Sequence, residues 1–256
     1  MMTLIKFISI AIVSLALNAC QFNSFPFNKG VRGNGVVVTE KRPINDESFN
    51  RIEVSTGIDL FLTQSDRPSI SVQADENIQE IIITEIENGT LKIYMDKSSH
   101  HVASKKVVVN FISINQIKAS SGSEVFSTNT LKLPNLDLST SSGSEMELSV
   151  ETNTITSNSS SGSILNLSGN TKEFIGGSSS GSQLNASKLT AEFCEVKASS
   201  GSDLSVKCLD QFNANASSGA HIKNHEKSIQ TTIKSSSGGH IDIKNLILWN
   251  HSTQKC

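Results

Sequence analysis

The stretch Ser120-Ser121-Gly122-Ser123 decides the fold, because its Ser-Ser-Gly core returns six more times in the chain. A repeat period of about 20 residues is typical of a solenoid, in which each repeat forms one turn. Glycine suits a corner that needs a positive φ, so we predict a corner at every copy. Successive glycines are 21, 19, 19, 20, 18 and 19 residues apart, at Gly143, Gly162, Gly181, Gly201, Gly219 and Gly238.

Two apolar columns flank these corners. The second and fourth residues after each glycine are mostly polar, and this alternation is expected of a strand with one buried face. The third residue after the glycine is apolar in every copy: Val125, Met146, Leu165, Leu184, Leu204, Ile222 and Ile241. The seventh residue before it is apolar in all later copies but the last: Leu136, Ile155, Phe174, Cys194, Phe212 and Thr231.

These columns predict an all-β fold, a parallel β-helix over residues 116–248. Rungs that pair in register lie about 4.8 Å apart, so seven rungs would extend for roughly 30 Å. Residues 35–115 carry further strand signals, among them Val36-Val37-Val38 and Val107-Val108-Val109, and a turn signal at Asn88-Gly89. We predict that they form an N-terminal β module.

The N-terminus reads as a secretory signal. Residues 1–19 carry Lys6 and an apolar core from Phe7 to Leu17, which is much shorter than the ~20 residues of a membrane span. Leu17-Asn18-Ala19-Cys20 resembles a bacterial lipobox, which implies lipidation of Cys20; cleavage of an ordinary secreted protein is the alternative. In that pathway an Asp directly after the lipidated Cys retains a lipoprotein at the inner membrane. This chain has Gln21 at that position, which implies the outer membrane. We interpret residues 20–34 as a tether and 249–256 as a tail.

The charge of the chain argues against a nucleic-acid partner. The formal net charge is −2, and removal of residues 1–19 takes away one Lys and no acid, which leaves −3. No cluster of Lys and Arg offers a footprint for phosphates.

The order of several blocks is similar to that of a known family. Phe49 to Val54, Gly57 to Gln64, Val72 to Asn77 and Asn88 to Ile93 precede the Ser-Ser-Gly rungs. Together they resemble the bacterial family named putative auto-transporter adhesin, head GIN domain, over roughly residues 44–243. The resemblance implies a right-handed, single-stranded β-helix in the cell envelope, and it supplies no catalytic residues.

We therefore predict a non-enzymatic lipoprotein that binds, adheres or scaffolds through its repetitive surface, without a cofactor. Its partners would be the membrane, through the lipid, and an envelope protein or polysaccharide. A carbohydrate-active enzyme is the alternative from another class. Against it, all four arginines precede the rungs, and Tyr94 and Trp249 lie outside them. The match of residues 177–181 to the nucleophile motif G-x-S-x-G is one more copy of the corner and lacks a strand-turn-helix context.

A third hypothesis is a metal- or pH-responsive module. Asp203, His221 and His240 occupy the second position of three consecutive rungs, about 5 Å apart, which is close enough to share a divalent ion such as Zn²⁺. A solvated face with two incidental histidines is the alternative. Glu124 and Glu145 lie in the same column, where they would either hold a cation or be hydrated.

The serines and cysteines leave further alternatives. The serine columns would either form a hydroxyl array that binds an ordered surface or bond to the backbone of tight bends. The envelope is oxidising. Cys194 and Cys208 lie seven residues to either side of Gly201, so a disulfide between them would have to cross the rung. Cys256, the last residue, is left unassigned.

Overall fold

The structure is a computed structural model that describes residues 30–44 and 48–244. The predicted signal peptide, Cys20 and the predicted tail lie outside these residues. In the described part, no helix has the length and apolar character needed to cross a membrane. The described elements are the strands β1 (Val31–Arg32), β2 (Val37–Arg42), β3 (Arg51–Val54), β4 (Asp59–Gln64), β5 (Ser69–Asp75), β6 (Ile82–Glu87), β7 (Thr90–Met95), β8 (Ser99–His100), β9 (Lys105–Phe111), β10 (Gln116–Ala119), β11 (Glu124–Ser127), β12 (Leu131–Thr140), β13 (Glu145–Ser159), β14 (Ile164–Ser178), β15 (Gln183–Ala198), β16 (Asp203–Ala216), β17 (His221–Asn224), β18 (Gln230–Ser235) and β19 (His240–Ile243), and a 3₁₀ helix at Glu76–Ile81.

Each Ser-Ser-Gly corner is a tight turn with two residues in the left-handed region. In the first corner Ser121 has φ 53° and Gly122 has φ 69°, and the Ser123 N–H donates to the carbonyl of Ser120 at 3.2 Å. Two central residues with positive φ define a type I′ turn. In all seven corners the serine φ lies between 48° and 54° and the glycine φ between 66° and 75°. The predicted positive φ of the glycines is confirmed, and the serine before each one shares it.

The corners stack on one another through backbone hydrogen bonds. The N–H of Gly143 donates to the carbonyl of Ser161 in the next corner at 3.1 Å, and Gly162 repeats this bond to Ser180. The serine after each of the first five glycines is buried, and its hydroxyl hydrogen-bonds to backbone groups on the inner side of its own turn. The Ser163 hydroxyl, for example, donates to the Ser160 carbonyl at 2.8 Å and accepts from the Ser160 N–H at 3.1 Å. The inner polar groups of the corner are thereby paired.

The rungs between the corners pair in parallel and in register. Leu165 lies opposite Leu184, and Leu184 lies opposite Leu204; all three side chains are buried. The second column stacks in the same way, with Phe174 opposite Cys194 and Cys194 opposite Phe212. The β-solenoid predicted from the repeats is confirmed, as are its inward and outward faces.

The N-terminal strands belong to the same solenoid. β3 pairs in parallel with β7 on one side and β10 on the other, and β4 pairs with β9 and β11. Between β3 and β4 the chain turns at Thr56 and Gly57, with φ 62° and 69°, and the Gly57 N–H donates to the Ser121 carbonyl at 3.1 Å. Ser55-Thr56-Gly57 is thus a further corner of the same type. The predicted N-terminal module continues directly into the rungs.

Antiparallel strands cover the N-terminal end. β5 pairs with β2 and β9, and β6 and β7 form a hairpin around Asn88 and Gly89, both with positive φ. β1, which lies within the predicted tether, pairs with β8.

The buried carboxylate of Asp75 holds this end together. Its Oδ2 accepts from the Gly35 N–H at 2.8 Å, and its Oδ1 accepts from the N–H groups of Ala103 and Ser104 at 2.9 and 3.1 Å. Burial raises the pKa of the Asp75 carboxyl, but the backbone hydrogen bonds together lower it by a larger amount. The pKa of this carboxyl therefore lies below its ordinary value. The charged form therefore stabilises the native state.

Replacing Asp75 by Asn should lower the free energy of unfolding by about 2–3 kcal/mol at pH 7, because buried N–H groups lose a charged acceptor. Since the native pKa of Asp75 is depressed, its contribution is present above the unfolded pKa of about 3.9 and is lost as the pH falls through the lower native value. Urea titrations between pH 7 and pH 2 should therefore show the difference between parent and Asp75→Asn shrinking below pH ~4.

The matched control is Asp66→Asn, because Asp66 is an exposed carboxylate on a turn. This change should alter the stability by less than about 0.5 kcal/mol. A deficit in Asp75→Asn that stays constant over the whole pH range would contradict the assignment.

Candidate functional site

The outward side chains that follow the corners form one continuous surface, which we name the front face. It consists of the residues two and four positions after each corner glycine. The parallel register places the second-position residues in one column, which runs Glu124, Glu145, Ile164, Gln183, Asp203, His221 and His240. Neighbouring members are about 4.8 Å apart along the solenoid axis. Each rung therefore contributes one second-position side chain to the front face, and the type of side chain varies from rung to rung.

The N-terminal part of the front face is acidic. Asp59 lies opposite Glu124, and Glu124 opposite Glu145, so three carboxylates stand on consecutive rungs. All three are at least partly exposed and can be hydrated.

The middle of the front face is uncharged. In the fourth-position column, Asn166 lies opposite Asn185. In the second-position column, Gln183 lies between Ile164 and Asp203. We name Asn166, Gln183 and Asn185 the amide patch. An amide offers both donors and an acceptor, so this patch can bond to hydroxyl, amide or carbonyl groups of a polar polymer.

At the C-terminal end, two histidines converge on one carboxylate. His221 Nε2 lies 3.0 Å from Asp242 Oδ2, and His240 Nε2 lies 2.9 Å from Asp242 Oδ1. The two rings are stacked, with centroids 5.5 Å apart. We name His221, His240 and Asp242 the His–Asp cluster. Hydrogen bonds from His221 and then His240 hold the pKa of the Asp242 carboxyl below its ordinary value.

Asp203 stands on the other side of His221. The register brings Asp203, His221 and His240 onto consecutive rungs, in the order expected from the sequence. However, Asp203 Oδ1 faces Nδ1 of His221 at 3.7 Å, whereas both Nε2 atoms point to Asp242. From the sequence, Asp242 could be recognised only as one of the polar residues that lie four positions after a corner glycine. Its approach to both rings depends on side-chain rotations that the repeat does not encode.

The serines divide into two columns with different environments. Those after the glycines are buried in the first five corners and bond to the backbone, whereas those before the glycines are exposed. Ser179, at the centre of the G-x-S-x-G match, lies in a turn between β14 and β15, so that a strand follows the motif where a nucleophile elbow has a helix.

Cys194 occupies the buried column to which the sequence assigned it, and the disulfide to Cys208 that the sequence left open is not formed. Both are buried, and they are free thiols without the cross-rung disulfide. In the strand register Cys208 lies opposite Ala191, while Cys194 lies opposite Phe212. The Cys208 thiol donates to the Gln211 carbonyl at 3.2 Å. A hydrogen bond with Cys208 and burial both raise the pKa of the Cys194 thiol.

A separate cleft of about 760 Å³ opens near the N-terminal end. Its apolar wall includes Ile44, Phe49, Phe111 and Ile112, and the side chains of Lys41 and Arg42 also line it. Of the four apolar residues, Ile112 is the most exposed. The cleft contains no residue of the front face.

Solved structures of other proteins share this architecture. A putative adhesin from Bacteroides fragilis aligns with a TM-score of 0.78 at 18% identity, over 84% of this chain and 100% of that chain. A putative adhesin from Parabacteroides merdae aligns with a TM-score of 0.70 at 20% identity, over 84% and 99%. A protein from Parabacteroides distasonis described as a putative lipid binding protein aligns with a TM-score of 0.66 at 18% identity, over the same shares. These likenesses show a common fold.

The sequence itself was compared with curated proteins and with family models. No curated protein matches it. The family model described as putative auto-transporter adhesin, head GIN domain, matches residues 48–228, which include the corner at Gly57 and those from Gly122 to Gly219. This match covers well over half of the chain, and the chain belongs to the family of putative auto-transporter adhesins with a head GIN domain.

Proposed function

We propose that the protein is a cell-envelope lipoprotein that binds a polar polymer of the envelope or of the cell's surroundings through its front face. The lipid on Cys20 anchors it to the outer membrane, and the solenoid presents the amide patch at a fixed spacing. The function is binding without turnover. The single observation that carries the proposal is the uncharged and at least partly exposed amide patch in the middle of a regular surface.

The spacing of the patch suits a repeating ligand. Rungs about 4.8 Å apart place the equivalent amides of Asn166 and Asn185 one rung apart, so that one polymer chain can meet the same donors and acceptor twice. Asn185 is already oriented, because its Oδ1 accepts from the Ser187 hydroxyl at 2.7 Å. This leaves its amino group to donate to a ligand. The family description as an adhesin supports the same class of function.

The arrangement favours binding over catalysis. A hydrolase or lyase needs titratable groups that converge in a concave site. In the part of the chain that the structure describes, the residues lining the 760 Å³ cleft are apolar or small and polar, apart from Lys41 and Arg42, and include no carboxylate or histidine. The His–Asp cluster lies on the open front face.

The amide patch can be tested with a double variant. Purified protein should be retained on at least one of immobilised peptidoglycan, lipopolysaccharide or a neutral extracellular polysaccharide. Asn166→Ala combined with Gln183→Ala should weaken this retention by about tenfold or more, since each lost hydrogen bond is worth about 0.5–1.5 kcal/mol. Retention is measured by surface plasmon resonance in the presence of EDTA, and reducing ends are assayed in parallel.

The control is Asn158→Ala combined with Asn215→Ala, which removes two exposed amides from a different outward surface of the solenoid. These changes should leave retention unchanged. Equal losses in both double variants, or release of reducing ends by the parent protein, would overturn the proposal.

The lipid anchor makes a separate prediction. Cys20→Ser should move the protein from the membrane pellet to the soluble fraction, because the acyl chains supply the membrane affinity. Cys256→Ser is the matched control and should stay in the pellet. Unchanged partitioning of Cys20→Ser, measured by fractionation and immunoblot, would exclude lipidation at this residue.

A further inference from the structure

We propose that the His–Asp cluster is a binding site for a divalent transition metal of the zinc class. His221, His240 and Asp242 each offer one ligand atom, and these atoms all lie within 4.8 Å of one another. Within residues 30–44 and 48–244, no other group of three His, Cys, Asp or Glu side chains meets that condition. The site goes beyond the proposed polymer binding and does not depend on it.

The backbone fixes the relative positions of the three ligands. His221 and His240 are direct partners in the parallel pair β17 and β19, and Asp242 follows His240 by two residues on the same side of β19. The cluster therefore does not rely on a loop. Tetrahedral zinc with bonds of about 2.0–2.2 Å needs ligand atoms roughly 3.3 Å apart. The distances from the two Nε2 atoms to the nearer oxygen of Asp242 are 3.0 Å (Oδ2) and 2.9 Å (Oδ1), and one ligand atom from each residue lies within 4.8 Å of the others, so the side chains must rotate to bring a single carboxylate oxygen and both nitrogens around one ion.

Small side-chain rotations are enough to open the cluster to an ion. The side chains of His240 and Asp242 are 70% and 50% exposed, so that water surrounds much of each and leaves room for such a rotation. His221, at 39%, is held more firmly between the neighbouring rungs.

The donor set indicates which metal would bind. Two imidazole nitrogens and one carboxylate oxygen suit Zn²⁺, Cu²⁺ and Ni²⁺, whereas Ca²⁺ and Mg²⁺ prefer sites made only of oxygen. Three protein ligands leave a fourth position open toward solvent, which water or a group from a partner would fill. The carboxylates of Asp242 and Asp203 would offset the ion's two positive charges, while Lys223, opposite Asp242 in the register, adds one positive charge nearby.

Asp203 has a positioning role in this site. Its Oδ1 lies 3.7 Å from Nδ1 of His221, on the side of the ring that faces away from Asp242. A carboxylate there favours the tautomer with a proton on Nδ1, which leaves the Nε2 lone pair free for the metal. Asp203 thus acts through His221 without contacting the ion.

The test is calorimetric titration of the full-length protein with ZnCl₂. The protein carries Cys20→Ser and Cys256→Ser so that these two thiols cannot bind zinc, and the free thiols of Cys194 and Cys208 are buried. We expect one equivalent of zinc to bind, and no heat from CaCl₂ or MgCl₂ at the same concentrations. His240→Ala and Asp242→Asn should each weaken zinc binding by at least about tenfold, and Asp203→Asn by about tenfold.

His225→Ala is the matched control, since His225 follows β17 but is not in the cluster. It should bind zinc like the parent, and circular dichroism should show that every variant keeps the parent's fold. Cobalt(II) offers a second readout, because its visible spectrum reports the ligands directly and should change in His240→Ala and Asp203→Asn. Absence of zinc binding, or equal affinity in parent and His240→Ala, would overturn the proposal.

A third result would also overturn it, namely loss of zinc binding in a His100→Ala/His101→Ala variant. This would assign the ion to the pair of histidines at the N-terminal end, whose ring centroids are 5.4 Å apart. Because polymer retention is measured in EDTA, the two proposals fail independently of each other.

Discussion

The stacked hydrogen bonds of the corners are the interaction on which the rest of the structure depends. At each corner two residues take a positive φ, which closes the turn within four residues. The glycine N–H then donates to the serine carbonyl of the next corner, as in the bond from Gly181 to Ser200 at 3.1 Å. A buried serine hydroxyl also hydrogen-bonds to the backbone on the inner side of the corners, as that of Ser182 does by donating to the Ser159 carbonyl of the preceding rung at 2.8 Å. The corners thereby set both the period and the register.

This register determines which side chains can act together. Residues that are 18 to 21 positions apart in the sequence become direct neighbours, so that the chemistry of the front face follows from one position in each repeat. Amides meet amides at Asn166 and Asn185, and histidine meets histidine at His221 and His240. Polymer binding and metal binding would then occupy different parts of one surface, with Asp203 between them.

Much of the fold could be predicted from the sequence because the corner is a local structure. Ser-Ser-Gly specifies the turn, and the apolar third position specifies the inward face, so Leu184 and Leu204 were assigned correctly. The corner at Gly57 was missed because Ser-Thr-Gly replaces Ser-Ser-Gly, although the alternation after it, Ile58 to Leu62, is of the same kind. A search for any small polar pair before glycine would have found it.

The parts that could not be predicted depend on departures from the repeat or on side-chain rotation. The pairing of β15 with β16 shifts register between Ala186 and Thr190, which places Cys208 opposite Ala191, although its thiol still hydrogen-bonds with that of Cys194. No sequence period reports such a bulge in advance. Asp242 shares its position with several uncharged residues of other rungs, so only the geometry distinguishes it as the partner of both histidines.

Amide hydrogen exchange at the corners tests the central claim most directly. In Gly143, Gly162, Gly181 and Gly201 the N–H donates to the next corner. These amides should exchange on the order of a thousandfold or more slowly than in an unfolded peptide, and as slowly as those of Leu165 and Leu184 in the core strands. Fast exchange at these four glycines, with slow exchange retained in the strands, would show that the corners do not hold the rungs in register.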